Sequence, residues 1–191
     1  MKVRRLVYSV SGALALTALS PSFPQARATH AQTLTALHHE TQTGALVEVV
    51  RRATERFHDV TVAEAEGYAL KFGCVSGGEY GAMGLHYVNF PLVLDGVLDP
   101  TRPEIVIYEP LPNGRLRLIG ADYLVLASDW HSKNTAPPEL MGQLLHLFES
   151  PNRFGLPTFY TLHVWAWKEN PTGTFANWHA KVSCDAFGGG V

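Results

Sequence analysis

The chain has 191 residues, with 15 lysines and arginines against 17 aspartates and glutamates and a net charge of −2. A near-neutral chain without a basic cluster argues against nucleic acid or an anionic membrane surface as partner. The length suits one domain with a real core, and two cysteines outside any Cys-x-x-Cys pair argue against a zinc knuckle or a dithiol redox motif.

The first 28 residues read as a secretory signal peptide. Lys2, Arg4 and Arg5 precede the apolar run Leu6 to Leu19, and Ala26-Arg27-Ala28 offers a small-x-small cleavage site. The run is too short to span a bilayer. Its removal takes four basic residues and no acidic ones, leaving 11 against 17, a charge of −6 over residues 29–191. The expectation is one exported domain, periplasmic or extracellular, with no stable membrane insertion.

Residues 33–58 are expected to be helical, with Leu46, Val49, Val50, Ala53 and Phe57 on one stripe and Arg51, Arg52, Glu55 and Arg56 opposite. The stretch DVTVAEAEGY predicts a second, short helix with Thr61 as its N-cap. From about Leu70 onward, short runs of Val, Ile, Leu and Tyr are punctuated by Gly and Pro. Strands are expected near 82–90, 104–109, 115–127, 158–168 and 178–184. Pro110 to Gly114 reads as a hairpin loop, with Asn113 and Gly114 taking the positive-φ positions. PPELMGQLLHLFE, residues 137–149, reads as a helix with proline in its first turn. Helices first and hairpin-linked strands after them predict an α+β fold: N-terminal helices followed by a curved antiparallel sheet or small β-barrel.

Side chains alternate between the faces of a strand, so each strand can be tested for the side on which its polar residues stand. His86 shares a face with Ala82, Gly84, Val88 and Phe90. Glu109 shares one with Ile105 and Ile107. Asp122 stands among Leu116, Leu118, Leu124 and Leu126, and His163 among Phe159, Thr161, Trp165 and Trp167. Four strands thus each place one ionisable group on an inward face. Buried charge without a partner is costly. Two imidazoles and two carboxylates on one enclosed surface compensate each other best around a divalent transition metal: Zn, Fe, Mn, Cu or Ni. His86, Glu109, Asp122 and His163 are therefore the candidate ligands. One of the carboxylates could instead orient an imidazole from behind, and ordinary cores also hold a histidine through a carbonyl or hydroxyl. His179 and His131 are weaker candidates.

Ser76 lacks the nucleophile-elbow context, and GGEYGAMG lacks the GK[ST] ending of a phosphate loop. Trp165, Trp167, Phe175 and Trp178 suit either a core or the lining of a pocket. In an oxidising compartment Cys74 and Cys184 are expected to pair as a disulfide, the other reading being two buried thiols.

The blocks GAMGLHYVN, PEIVIYEP, LRLIGADY and LHVWAWKENPTGTFANWHAKVSC resemble a family of exported bacterial proteins known mainly as uncharacterised sequences. The resemblance runs from about Phe57 to Cys184 and implies export and a single domain. It implies no catalytic residues. The expected function is that of an exported protein with a divalent-metal site inside the sheet or barrel; if it is an enzyme, the chemistry expected is that of a metal-dependent oxygenase or hydrolase acting on a small molecule. The alternative is a non-catalytic, lipocalin-like binding protein.

Overall fold

The computed structural model describes residues 43–188. The expected signal peptide, the first part of the N-terminal helix, His38 and His39 lie outside them. Helix α1 covers 43–54 and continues into a 3-10 turn, Glu55–His58. Leu46 and Val50, one turn apart, are fully buried, while Glu48 reaches Arg51 and Arg52 on the outer side. Helix α2, Val60–Ala65, is capped by Asp59, whose side chain accepts from the Thr61 backbone N–H; the cap is therefore Asp59 and not Thr61.

The strands follow: β1 (Ala69–Ser76), β2 (Ala82–Val88), β3 (Ile105–Pro110), β4 (Leu116–Leu126), β5 (Glu139–Leu140), β6 (Gln143–Leu144), β7 (His146–Phe148) and β8 (Phe159–Val164). Short helices α3 (Phe90–Asp95) and α4 (Ala127–His131) follow β2 and β4. Six strands form one antiparallel sheet in the order β1-β2-β3-β4-β8-β7, curled into a half-barrel, and β5 and β6 form a separate small hairpin. The α+β expectation holds.

Both faces of this sheet are covered. Tyr123, Val125, Leu162 and Val164 pack with Leu46 and Val50 of α1. Asp122, Leu124, Thr161 and His163 alternate with them and so point to the other, concave face. The helix thus lies behind the sheet, on the face opposite Asp122 and His163, whose own face also carries the apolar residues Leu124, Ile105 and Phe159.

Several segments differ from the sequence reading: strand β1 and the short helices α3 and α4 are not among the expected elements. Residues 137–149 form the β5–β6 hairpin and β7, not a helix. Leu140 pairs with Gln143 across a two-residue turn in which Met141 (φ 49°) and Gly142 (φ 84°) both take left-handed φ, the geometry that two-residue hairpins favour. Residues 178–184 hold one bridge, Ala82 to His179, rather than a strand. In the 110–114 loop Gly114 has φ 74°, while the Asn113 side chain accepts from the Arg115 N–H.

Three bulges shape the hollow, one of which leaves Met83 extra on β2 between Gly84, opposite Val75, and Ala82, opposite Ser76. Between Lys71, opposite His86, and Cys74, opposite Leu85, the residues Phe72 and Gly73 are extra, with φ of 64° and 61°. Another irregularity follows Ile107: that residue faces Gly120, yet Tyr108 faces Leu118. Cys74 and Cys184, 110 residues apart, are joined through their sulfurs at 2.11 Å and tie β1 to the C-terminal segment.

Candidate metal centre

Asp122 on β4 and His163 on β8 are direct cross-strand partners. Across the sheet the same row runs Val88, Ile105, Asp122, His163. His86 stands in the adjacent row, His86, Ile107, Gly120. In a flat sheet β2 and β8, three steps apart, would be about 14 Å apart. The curl removes that separation: the His86 and His163 rings stand edge to face with centroids 5.8 Å apart. Two glycines make the approach possible. A Cβ on Gly84 would lie 2.6 Å from the Tyr108 carbonyl oxygen, and one on Gly120 would lie 2.5 Å from that of Val164.

His86, Asp122 and His163 are all buried, and each offers a ligand atom within 4.8 Å of the others. The group could hold a metal ion. Metal-bound donors at about 2.1 Å stand roughly 3–3.4 Å from one another, so ion binding would draw the three donors closer together. His86 donates through Nδ1–H to the Gly84 carbonyl (3.2 Å), which leaves the Nε2 lone pair for the hollow. Neither ring nitrogen of His163 makes a hydrogen bond of normal geometry, although the Asn177 side chain approaches the ring closely enough to oppose the downward shift of its pKa, and Nδ1 lies 3.7 Å from Asp122 Oδ1. That same oxygen accepts the Thr161 hydroxyl.

Burial is the first cause of every shift in this group. It lowers His86 to about 4, aided by the neighbouring His163, and lowers His163 to about 3. Both imidazoles are therefore neutral at pH 7, as metal ligands must be. Burial lifts Asp122 to about 6, opposed by His86 and by the Thr161 hydrogen bond. Two neutral imidazoles and one carboxylate form the donor set of open zinc sites and of non-haem iron sites.

Beside the three groups lies a small chamber of about 20 Å³, lined further by Phe72, Met83, Phe148, Phe154, Phe159 and Thr161. Phe148 stacks on Phe159 at 5.3 Å, and Phe154 meets Phe72 edge to face at 5.5 Å. Phe72 reaches the chamber because of the β1 bulge, where a non-glycine residue at left-handed φ costs ~1–3 kcal/mol. Phe159 and Thr161 share the His163 face and were visible to the alternation test. Phe148 was not, having been assigned to a helix. Phe72 was not, because it lies on β1, where no strand is expected from the sequence, and a bulge leaves no periodic signal.

Glu109 is not part of the group. Strict alternation puts it on the face of Ile105, but Ile105 is the residue opposite Asp122, and four residues at about 3.3 Å each carry Glu109 some 13 Å farther along the strand. The bulge after Ile107 also shifts the β4 register, so that Arg117 becomes the partner of Glu109. Arg117 Nε donates to Oε2 at 3.0 Å and Lys168 Nζ to Oε1 at 2.6 Å. Burial raises the Glu109 carboxyl, but these two cations outweigh it and the net shift is downward.

His179 and His131 are engaged elsewhere, whereas His146 stands near enough to act on Asp122 and His163 electrostatically. His179 is fully buried, accepts from the Lys181 backbone N–H through Nδ1 and meets Trp165 edge-on at 5.0 Å. His131 donates through Nδ1 to the Asn134 carbonyl and accepts the Tyr160 hydroxyl at Nε2 (2.9 Å). His146 is exposed on β7 and bonded to Asn177. Of the aromatic run, Trp165 stacks on His163 at 5.6 Å, whereas Trp167 turns to the other side and donates to Thr54. Compared with protein-family models, curated proteins and solved structures, the chain matches none, so the site is described by its own geometry alone.

Proposed function

We propose that this chain is an exported metalloprotein with a single divalent transition-metal centre inside its half-barrel. His86 through Nε2, Asp122 and His163 are the protein ligands, and the metal is one of Zn, Fe, Mn, Cu or Ni. The observation that carries this reading is His163: a fully enclosed imidazole, neither of whose nitrogens makes a hydrogen bond of normal geometry, beside a buried carboxylate and a second buried imidazole. Buried polar atoms are nearly always satisfied, and a metal would satisfy one of these nitrogens while neutralising Asp122. Three protein ligands leave coordination positions open. An open position beside a nonpolar chamber suits metal-assisted chemistry on a small molecule, with the metal activating dioxygen or water. The Cys74–Cys184 bond agrees with an oxidising compartment, as does the resemblance to exported bacterial proteins.

Metal analysis of protein isolated from the periplasm without a histidine tag tests the reading. One equivalent per chain is expected, with loss in His86→Ala and His163→Ala; metal content that does not change in these variants would overturn it. The phenylalanine wall favours one second reading, a lipocalin-like binding protein. Binding of a lipophilic dye that survives chelation, in a chain without metal, would select it. For export, the first residue of the isolated chain is expected to be Thr29.

A further inference from the structure

We infer that the chamber beside the three ligands is a receptor for a neutral diatomic molecule, of the dioxygen or nitric oxide kind, and that it turns hydrated anions away. The inference rests on the metal reading above and names the ligand that the open position takes.

Three observations carry it. The first is size. About 20 Å³ is room for roughly one water-sized body, too little for an organic ring. The second is the wall. Away from the three candidate ligands it consists of Met83, four phenylalanine rings and Thr161, and the Thr161 hydroxyl already donates to Asp122. His86 Nδ1–H is committed to the Gly84 carbonyl. Once a metal takes His86 Nε2, Asp122 and His163, the lining offers a free water almost nothing to bond, and a buried water needs 2–4 polar partners. Apolar lining of this sort favours an apolar guest over a water that would lack partners. The third is the closure. Phe72, Phe148 and Phe154 are half-buried while Met83 and Phe159 are buried, so the first three form the outer side. Phe154 touches both Phe72 and Phe159, at 5.5 and 6.1 Å between centroids. An anion crossing this wall must shed its water against carbon, whereas a neutral diatomic loses little. The guest binds by donating a lone pair to the open position, and no bond within it breaks.

Two arms test the inference on the full chain. In the first, metal-free protein is equilibrated with xenon and followed by xenon NMR. Saturable binding is expected in the wild type. It should be lost in Phe159→Trp, which fills the chamber, and weakened in Phe154→Ala, where removal of a half-exposed ring spares the core and admits water. In the second, iron(II)-loaded protein is titrated without oxygen against nitric oxide and against azide. Nitric oxide should give the high-spin nitrosyl EPR signal in wild type and in Phe154→Ala alike. Azide should bind Phe154→Ala at least ~10-fold more tightly than wild type, because the opened wall no longer demands full dehydration. No xenon binding, no nitrosyl signal from iron-loaded protein, or equal azide affinity in the two proteins overturns the inference. A chain that takes up no iron overturns the metal reading and, with it, the link between chamber and metal; the xenon arm then still decides whether the chamber receives apolar guests.

Discussion

Asp122 and His163 face each other directly across β4 and β8, with Oδ1 and Nδ1 3.7 Å apart and both side chains enclosed. Direct cross-strand pairs are the closest contacts a sheet makes, so this pairing sets the carboxylate beside the imidazole through the backbone ladder alone. The same Asp122 oxygen holds the Thr161 hydroxyl. His86 completes the group from the far side of the curl.

Thr161 should matter to metal affinity without touching the metal. Loss of a group that orients a ligand typically lowers affinity by about 10–100-fold. Thr161→Val, nearly the same shape, is expected to lose that much in competition with a chelator, and Thr161→Ser to retain most of it. Equal affinity in Thr161→Val would mean that Asp122 is not held by this bond or is not a ligand.

Glu109 supplies the complementary control. Glu109→Gln is expected to leave metal content unchanged, since its partners are Arg117 and Lys168. It should destabilise the fold by roughly 1–2 kcal/mol, a charge-assisted interaction discounted for the exposure of Arg117. Metal analysis and urea denaturation read the two effects separately. Metal lost from a well-folded Glu109→Gln would return Glu109 to the ligand set.

The Cys74–Cys184 bridge closes a loop with a sequence separation of 110. Removing such a bridge typically costs about 2–5 kcal/mol. Denaturant titration of the chain with and without reductant should show this loss, as should the Cys74→Ala, Cys184→Ala double variant. Coincident curves would show that the bridge contributes nothing to stability.

Glu104 predicts a pH dependence that belongs to the scaffold. The residue is buried, its Oε2 accepts from the Leu124 backbone N–H, and burial pushes its carboxyl up to about 8 from an ordinary 4.5. A folded pKa above the unfolded one means that folding takes up a proton between these values. The contribution is therefore fully present below about pH 4.5 and is lost progressively as pH rises towards 8. Glu104→Gln keeps an acceptor for Leu124 and should flatten this slope, gaining on the order of a few kcal/mol relative to wild type at pH 8 and above. Thermal melts across that range check it, and parallel profiles for the two proteins would rule it out.

Period-two alternation, read from the amino acids alone, already put His86, Asp122 and His163 on apolar strand faces, because facing is a local property of an extended chain. The pairing of Cys74 with Cys184 and the α+β order of elements were legible for similar reasons: few cysteines, and helices before strands. Alternation carries no information about height along a neighbouring strand, nor about bulges. It therefore grouped Glu109 with residues from which register separates it, and it missed Phe72, which only a two-residue bulge turns inward. Proline in an expected first turn points to a helix at 137–149, where Met141 and Gly142 in left-handed conformations make a tight hairpin instead. Which strands become neighbours, and how strongly the sheet curls, depends on contacts between distant segments. Those contacts bring His86 within 5.8 Å of His163. The sequence by itself determined which side chains face inward; only the tertiary structure decided which of them meet.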